Sequence, residues 1–228
     1  MILRIRGIEI DFNFLENNFW TLEVQNPLFL REIFESFSSG EEEDENKIHQ
    51  LIIDSRWAND RLIFISNPFE NSEIMAMFSK KLKKYLANNF RSIEDETTFI
   101  KLATSFDDFI QDIIRQVELS LDYDNFSFEK FIKLANFRIH ENTKIGGTKQ
   151  TLYDIIDLTS ELQPHSVICF FLNLKHFLTD EEFQNLLEYA LSKETKLMFL
   201  ESSSGNFYNE QERVVVVDDD LFVLEKSF

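Results

Sequence analysis

Two short stretches hold most of the chemistry this chain can offer, one acidic and one basic. Glu118, Asp122, Asp124 and Asn125 fall within eight positions, with Tyr123 between them and Phe126 directly after. Hard oxygen donors that converge where a helix gives way to a loop suit calcium, which takes roughly 6–8 oxygens. The spacing lacks the central glycine and terminal glutamate of an EF-hand loop. A solvated acidic helix end has the same composition, and on the residues alone that reading is favoured over a calcium site.

The basic stretch runs from Met75 to Arg91 and contains Lys80, Lys81, Lys83, Lys84 and Arg91 with no carboxylate. On a helix, Lys80, Lys84 and Arg91 share one face, Lys83 extends it, and Lys81 points elsewhere. Such a helix either lays its long side chains over apolar surface or presents a phosphate-binding face. Without acidic partners four residues away it repels itself unless an anion or an acidic subunit faces it, which favours phosphate. Lys130, Lys133, Arg138, Lys144 and Lys149 can extend the strip.

Other chemistries find little support. After the apolar run ending at Ile65 the loop reads Ser66-Asn67-Pro68-Phe69-Glu70-Asn71-Ser72. It has no glycine, no lysine and no Gly-Lys-Ser/Thr ending, so it cannot wrap a phosphate as a nucleotide-binding loop does. His49, His140, His165 and His176 show no metal-ligand spacing, there is no Gly-x-Ser-x-Gly elbow, and Cys169 lies inside an apolar run. Nothing reads as a nucleophile with a paired base. Asn173 and Glu201 are different: each ends an apolar strand, and ligands of open α/β sheets sit beyond the carboxyl ends of strands.

The elements that must position these residues follow from periodicity. Val167–Leu172 and Leu197–Leu200 are apolar without alternation, as strands covered on both faces are. Between them, Thr179-Asp180-Glu181-Glu182 is a capping box opening a helix with Phe183, Leu186, Leu187, Ala190 and Leu191 on one stripe. The two strands are expected to be parallel neighbours. Leu3–Ile10 alternates as a strand, and Trp20–Val24 is a second. Asn26-Pro27 opens a helix with Phe29, Leu30, Ile33, Phe34 and Phe37 on its apolar face. Leu51–Ile53 and Leu62–Ile65 read as two strands around a hairpin-like polar stretch. Helices are expected over about 72–89, from Phe99 to Leu121, from Ser127, and over about 148–162. Gly146-Gly147 is the best hinge. The final pair of strands is Arg213–Val217 and Leu221–Leu224, around Asp218-Asp219-Asp220. The whole is an α/β domain assembled from both ends, with a helical insertion at about 67–145.

Bulk properties bound the function. The 228 residues carry a formal net charge of −18, which on average repels nucleic acid, but Glu41-Glu42-Glu43-Asp44-Glu45 reads as a solvated acidic loop and the basic helix carries none of the acidic charge. A single cysteine fits a reducing, cytoplasmic setting. No run approaches a membrane span, and the N-terminus has no signal-peptide pattern. The 25 phenylalanines fit an A/T-rich coding bias.

The chain resembles the small form of the type II-A CRISPR adaptation accessory protein, the Csn-two family. The likeness rests on Glu118-Leu119-Ser120-Leu121-Asp122-Tyr123-Asp124-Asn125-Phe126-Ser127. It rests also on Phe177–Glu182 through Glu188-Tyr189 and Leu197–Glu201, and on Asp218-Asp219-Asp220-Leu221-Phe222. The resemblance implies a P-loop-ATPase-like α/β head with a mixed or parallel sheet (1–66 and 146–228) and an inserted α-helical leg (67–145). It implies a cytoplasmic homotetrameric ring that is not an enzyme and supports spacer acquisition in antiviral defence. Calcium would order the legs through Glu118, Asp122, Asp124 and Asn125, and basic side chains would line the hole. Double-stranded DNA would thread in from a free end without sequence readout. Partners would be the CRISPR integrase and effector nuclease proteins, with no membrane involved. A divergent nucleotide-binding enzyme of P-loop type and a scaffold for the integration machinery are the alternatives.

Overall fold

The computed structural model describes residues 1–38, 49–53, 56–57, 61–68, 71–90, 92, 96–116, 123–137, 139, 147–162, 167–202 and 208–226. The chain is mixed α/β and divides into two units, Met1–Ile74 with Thr143–Phe228, and Met75–Asn142.

The first unit is built on a six-stranded sheet. Its strands are β3 (Phe19–Val24), β6 (Leu62–Ile65), β7 (Ile168–Leu172), β8 (Lys196–Glu201), β9 (Arg213–Val217) and β10 (Val223–Lys226), in the order β10-β9-β3-β8-β7-β6. All neighbours are parallel except β9 and β10. The expected parallel pairing of β7 with β8 is present, with Phe170 opposite Met198. Every residue of β3 is buried, Thr21 and Glu23 included, although these two alternate with Trp20, Leu22 and Val24 along the strand.

A smaller antiparallel sheet has the order β2-β1-β4-β5, from β1 (Ile2–Ile5), β2 (Phe12–Asn13), β4 (His49–Ile53) and β5 (Arg56–Trp57). Two sequence expectations are corrected here. The strand expected over 3–10 stops at Ile5, because Gly7 takes a positive φ of 90° and turns the chain. A Cβ there would sit 3.3 Å from the Phe29 ring, so both the backbone and the space call for glycine. The hairpin expected between 51–53 and 62–65 does not form, since β4 pairs with β1 and β5 while β6 joins β7 in the other sheet. Both are short apolar runs, and pattern alone cannot assign them to a sheet.

One face of the large sheet, with Trp20, Leu22, Phe170, Met198 and Val215, packs with Leu3 and Ile5 of β1 and with α1 (Pro27–Ser38) through Phe29, Ile33 and Phe37. The start of α1 is as expected: Asn26 Oδ1 accepts from the amides of Leu28 and Phe29, and Pro27 fills the first helical position. The opposite face meets α6 (Asp180–Ser192), where Phe183 stacks edge-on to Phe199 at 5.0 Å. It also meets α5 (Gly147–Leu162), where Thr159 lies 3.2 Å from Cys169 Sγ. The Thr179 capping box opens α6 in full. In the last strand pair β9 has the expected bounds, whereas β10 begins at Val223 instead of Leu221, because Asp218 Oδ1 takes the amides of Asp220 and Phe222 and Leu221 turns through a φ of 67°.

The second unit contains α2 (Asn71–Asn89) from Met75 onward, α3 (Thr97–Arg115) and α4 (Phe128–Ala135). Its core is Phe99, Phe128 and Ile132 with Leu86, Ala103, Phe126 and Phe131 packed around them. Residues 117–121 of the helix expected from Phe99 to Leu121 lie outside the described residues. Within α3 the apolar stripe is far from covered: Ile100, Leu102, Phe109 and Ile113 are exposed. No described helix is long and apolar enough to cross a membrane.

Candidate nucleic-acid interface

Three of the predicted lysines belong to one helix turn and a half of α2, and a fourth comes from α4. Ser127 caps α4 by accepting from the Lys130 amide at 3.3 Å. Asn136 ends the helix in the left-handed conformation, with φ 49°, a geometry that asparagine tolerates better than most residues. Phe128 and Ile132 then fall on the buried side and Glu129 and Lys133 on the exposed side, four residues apart.

Between α2 and α4 lies a cleft of about 630 Å³. Lys80, Lys83 and Lys84 line its α2 side, Lys133 and Glu129 its α4 side, and Ala87, Phe128 and Ile132 give it an apolar floor. The four cations are not equivalent. Lys83 donates to Asn136 Oδ1 at 3.0 Å, and Lys133 pairs with Glu129 at 2.7 Å. Lys80 and Lys84 are exposed and have no anionic partner among the described residues. The α2 rim is therefore cationic and the α4 rim nearly neutral. Lys81 is buried, with 9 % exposure, which matches its position off the basic face.

The remaining predicted residues are placed as follows. Lys130 turns its ammonium into its own loop, donating to the Asp124 and Asn125 carbonyls at 2.8 and 2.9 Å and lying 3.4 Å from the Asp124 carboxylate. Three oxygens of the acidic stretch thus already gather round a cation. Lys149 belongs to the first unit, where its ammonium lies 5.7 Å from the Tyr153 ring centroid. Arg91, Arg138, Lys144, Glu118 and Asp122 lie outside the described residues. Among the described residues no three His, Cys, Asp or Glu side chains group as a metal site. Two residues outside the predicted set bear on the cleft: Glu129 lines it, and Asn136 holds Lys83. The i, i+4 spacing of Glu129 and Lys133 was a readable signal, whereas Asn136 meets Lys83 across 53 positions of sequence.

The strand ends of the first unit hold a different cluster. Asn173 takes a left-handed turn, with φ 49°, and leads into a 3-10 turn, Leu174–Phe177. Its Oδ1 accepts from the Ser202 amide at 2.9 Å. Lys175, with a side chain 1 % exposed, donates to both oxygens of Glu212 at 2.8 and 2.7 Å and sits 4.7 Å from the Phe183 ring centroid. Thr21 donates to the same carboxylate at 2.5 Å. Glu23 and Glu201 are register partners on β3 and β8, so their side chains leave the same face. Glu23 accepts from the Tyr208 hydroxyl at 2.8 Å, and Glu201 accepts from the Lys175 amide at 3.1 Å. Each keeps one buried oxygen without a hydrogen bond among the described residues. Burial pushes the Glu201 carboxyl up to about 7. Burial also pulls Lys175 below its ordinary value, against the opposing attraction of Glu212, Glu201 and Glu23. Sequence singled out Asn173 and Glu201 but not Lys175 or Glu212. In this structure Asn173 makes turn contacts, and the ammonium of Lys175 fills the position between the carboxylates where a ligand of such a crevice would need a charge.

Comparison with known proteins gives the family. The sequence model of the CRISPR-associated protein family Cas_Csn2 matches residues 41–221, most of the chain, and the chain belongs to that family. Among solved structures it is similar to Stu0660 of Streptococcus thermophilus, with a TM-score of 0.56 and 14 % identity, covering 99 % of this chain and 76 % of that one. At that identity the likeness is one of fold. No curated protein matches the chain.

Proposed function

We propose that this chain is a non-enzymatic, calcium-supported protein of CRISPR spacer acquisition that binds the free ends of double-stranded DNA as a homotetrameric ring. The observation that carries the reading is the α2 rim, where Lys80 and Lys84 face a cleft with no anion to balance them among the described residues. An ammonium pair held in that way is stabilised by phosphate, and lysine contacts to phosphate position DNA without reading its sequence. Family membership supports the setting: a cytoplasmic protein that works with the CRISPR integrase and effector nuclease. The head would then be a P-loop-type fold that has lost its nucleotide loop, in line with the glycine-free sequence after Ile65.

The acidic stretch fits a hard cation on its donor chemistry, because oxygens of Asp124 and Asn125 already converge on an ammonium. Glu118, Asp122, Asp124 and Asn125 would hold calcium, which would cancel the carboxylate charge next to a DNA-binding surface. Lys130 must then release its loop contacts. At physiological salt, screening over roughly 8–10 Å lets the local lysines act despite the net charge of −18.

The test is affinity for linear duplex against covalently closed circles of the same sequence, with calcium and with a chelator. Tight binding to linear DNA only, lost with the chelator, is the expected result. Equal binding to both forms overturns entry from a free end.

A further inference from the structure

We propose that the α2–α4 cleft accommodates a single unpaired nucleotide, with its phosphate on the α2 rim and its base against the α4 side; the proposal rests on the DNA-binding reading and assigns this recess a role within it. Size is the first argument. A recess of about 630 Å³ falls within the roughly 300–1,000 Å³ of small-ligand pockets. It has room for one nucleotide, whereas a duplex segment can only lie across its mouth.

Charge is the second argument. Lys80 and Lys84 line one rim with no anionic partner among the described residues, and Lys83 on the same rim donates to Asn136 Oδ1. The opposite wall is a Glu129–Lys133 pair at 2.7 Å, close to neutral, and its carboxylate would repel a second phosphate. What suits that wall is an uncharged ring with N–H donors, since a carboxylate accepts from exocyclic amino groups of bases. The third argument is the floor: Ala87, with the buried Phe128 and Ile132 beneath it, is apolar, and Asn88 and Ser127 are uncharged polar groups that line the recess beside it. A cationic rim, an apolar floor and an acceptor on the far wall match a nucleotide piece by piece.

An unpaired nucleotide reaches the cleft either at the overhanging end of a bound duplex or as free nucleotide, and one set of titrations distinguishes the two. Fluorescence anisotropy with the full chain compares blunt duplex with the same duplex bearing a short single-stranded overhang. The overhang is expected to bind about tenfold tighter, within the range for stacking of one base. Ala87→Trp, which fills the recess without altering charge, should reduce that ratio to near one. Asn88→Trp, from an exposed position on the same wall, provides a second blocked form should the first fail to fold. Displacement of the overhang duplex by a free deoxynucleoside monophosphate, abolished in the blocked variants, points to free nucleotide as a ligand. Overhang preference without displacement assigns the site to DNA ends. Equal affinity for blunt and overhanging duplex, with no displacement, overturns the proposal while leaving the lysine face intact. If instead Lys80→Glu with Lys84→Glu changes neither affinity, DNA is bound away from the α2 rim and the nucleotide site falls with that placement.

Discussion

Lys175 is the residue of the first unit on which three acids act. Its ammonium is fully enclosed and bonded to both Glu212 oxygens, and two more carboxylates, Glu23 and Glu201, lie within its field. Three acids around one base cannot all be ionised cheaply, and Glu201 carries the imbalance, with its carboxyl pushed up to about 7 by burial. A carboxyl raised in the folded state holds its proton after the unfolded chain has released it. Stability should therefore fall as pH rises from about 4.5, the ordinary value, to about 7, and then level off. The loss amounts to about 3 kcal/mol from a shift of this size. Urea unfolding of Glu201→Gln should lack that decline and show higher stability than the parent above pH 7. An unchanged pH profile would mean that Glu201 is ionised in the fold. Lys175→Met should cost roughly 3–5 kcal/mol, because it strands the Glu212 carboxylate in the interior, and thermal melting reads this directly.

At the scale of elements, helix ends and helix faces serve separate purposes. The reciprocal Thr179–Glu182 contacts open α6 and hold the Glu182 carboxyl below its usual value through the Thr179 amide and hydroxyl. Thr179→Ala should cost about 1 kcal/mol in chemical denaturation and leave DNA binding unaltered, since α6 packs on the sheet. The exposed face of α2 has the opposite profile. Reversing Lys80, Lys83 and Lys84 to glutamate removes the Lys83–Asn136 hydrogen bond and no buried packing. Stability should change little, whereas affinity for linear DNA should drop on every sequence. The log–log salt slope should flatten by about one for each phosphate that no longer meets a lysine. Retained affinity in the triple variant would place the DNA lining elsewhere.

For the whole molecule the net charge of −18 sets the conditions. A tetramer multiplies that charge, and its long-range field repels DNA, so association should slow sharply at low ionic strength unless the acidic stretch is neutralised. Light scattering with and without calcium, repeated with linear DNA, is expected to give a tetramer whose DNA complex forms only with the metal. A monomer under all conditions would remove the ring from the mechanism. The exposed apolar stripe of α3, with Phe109 at 63 % exposure, is the surface whose burial such an assembly should report.

The sequence by itself determined what is local. The non-alternating runs of β7 and β8, the Thr179 box, the Asn26-Pro27 start of α1 and the Ser127 start of α4 all depend on residues a few positions apart. Their outcome is set by backbone hydrogen bonding and side-chain period. The lysine face of α2 was readable for the same reason, since helical spacing alone puts Lys80 and Lys84 together. Where a short apolar run goes was not readable: β4 and β6 are both brief apolar runs, yet they joined different sheets. Only the tertiary structure decided which distant groups meet. Glu23, Lys175 and Glu212 converge from three separate parts of the chain, and Lys83 finds Asn136 across 53 positions. A long-range ion pair leaves no period in the sequence, because its geometry is fixed by sheet register and helix packing rather than by its neighbours along the chain. The same packing carved the cleft beside the lysines and turned Lys130, expected with them, inward onto Asp124 and Asn125.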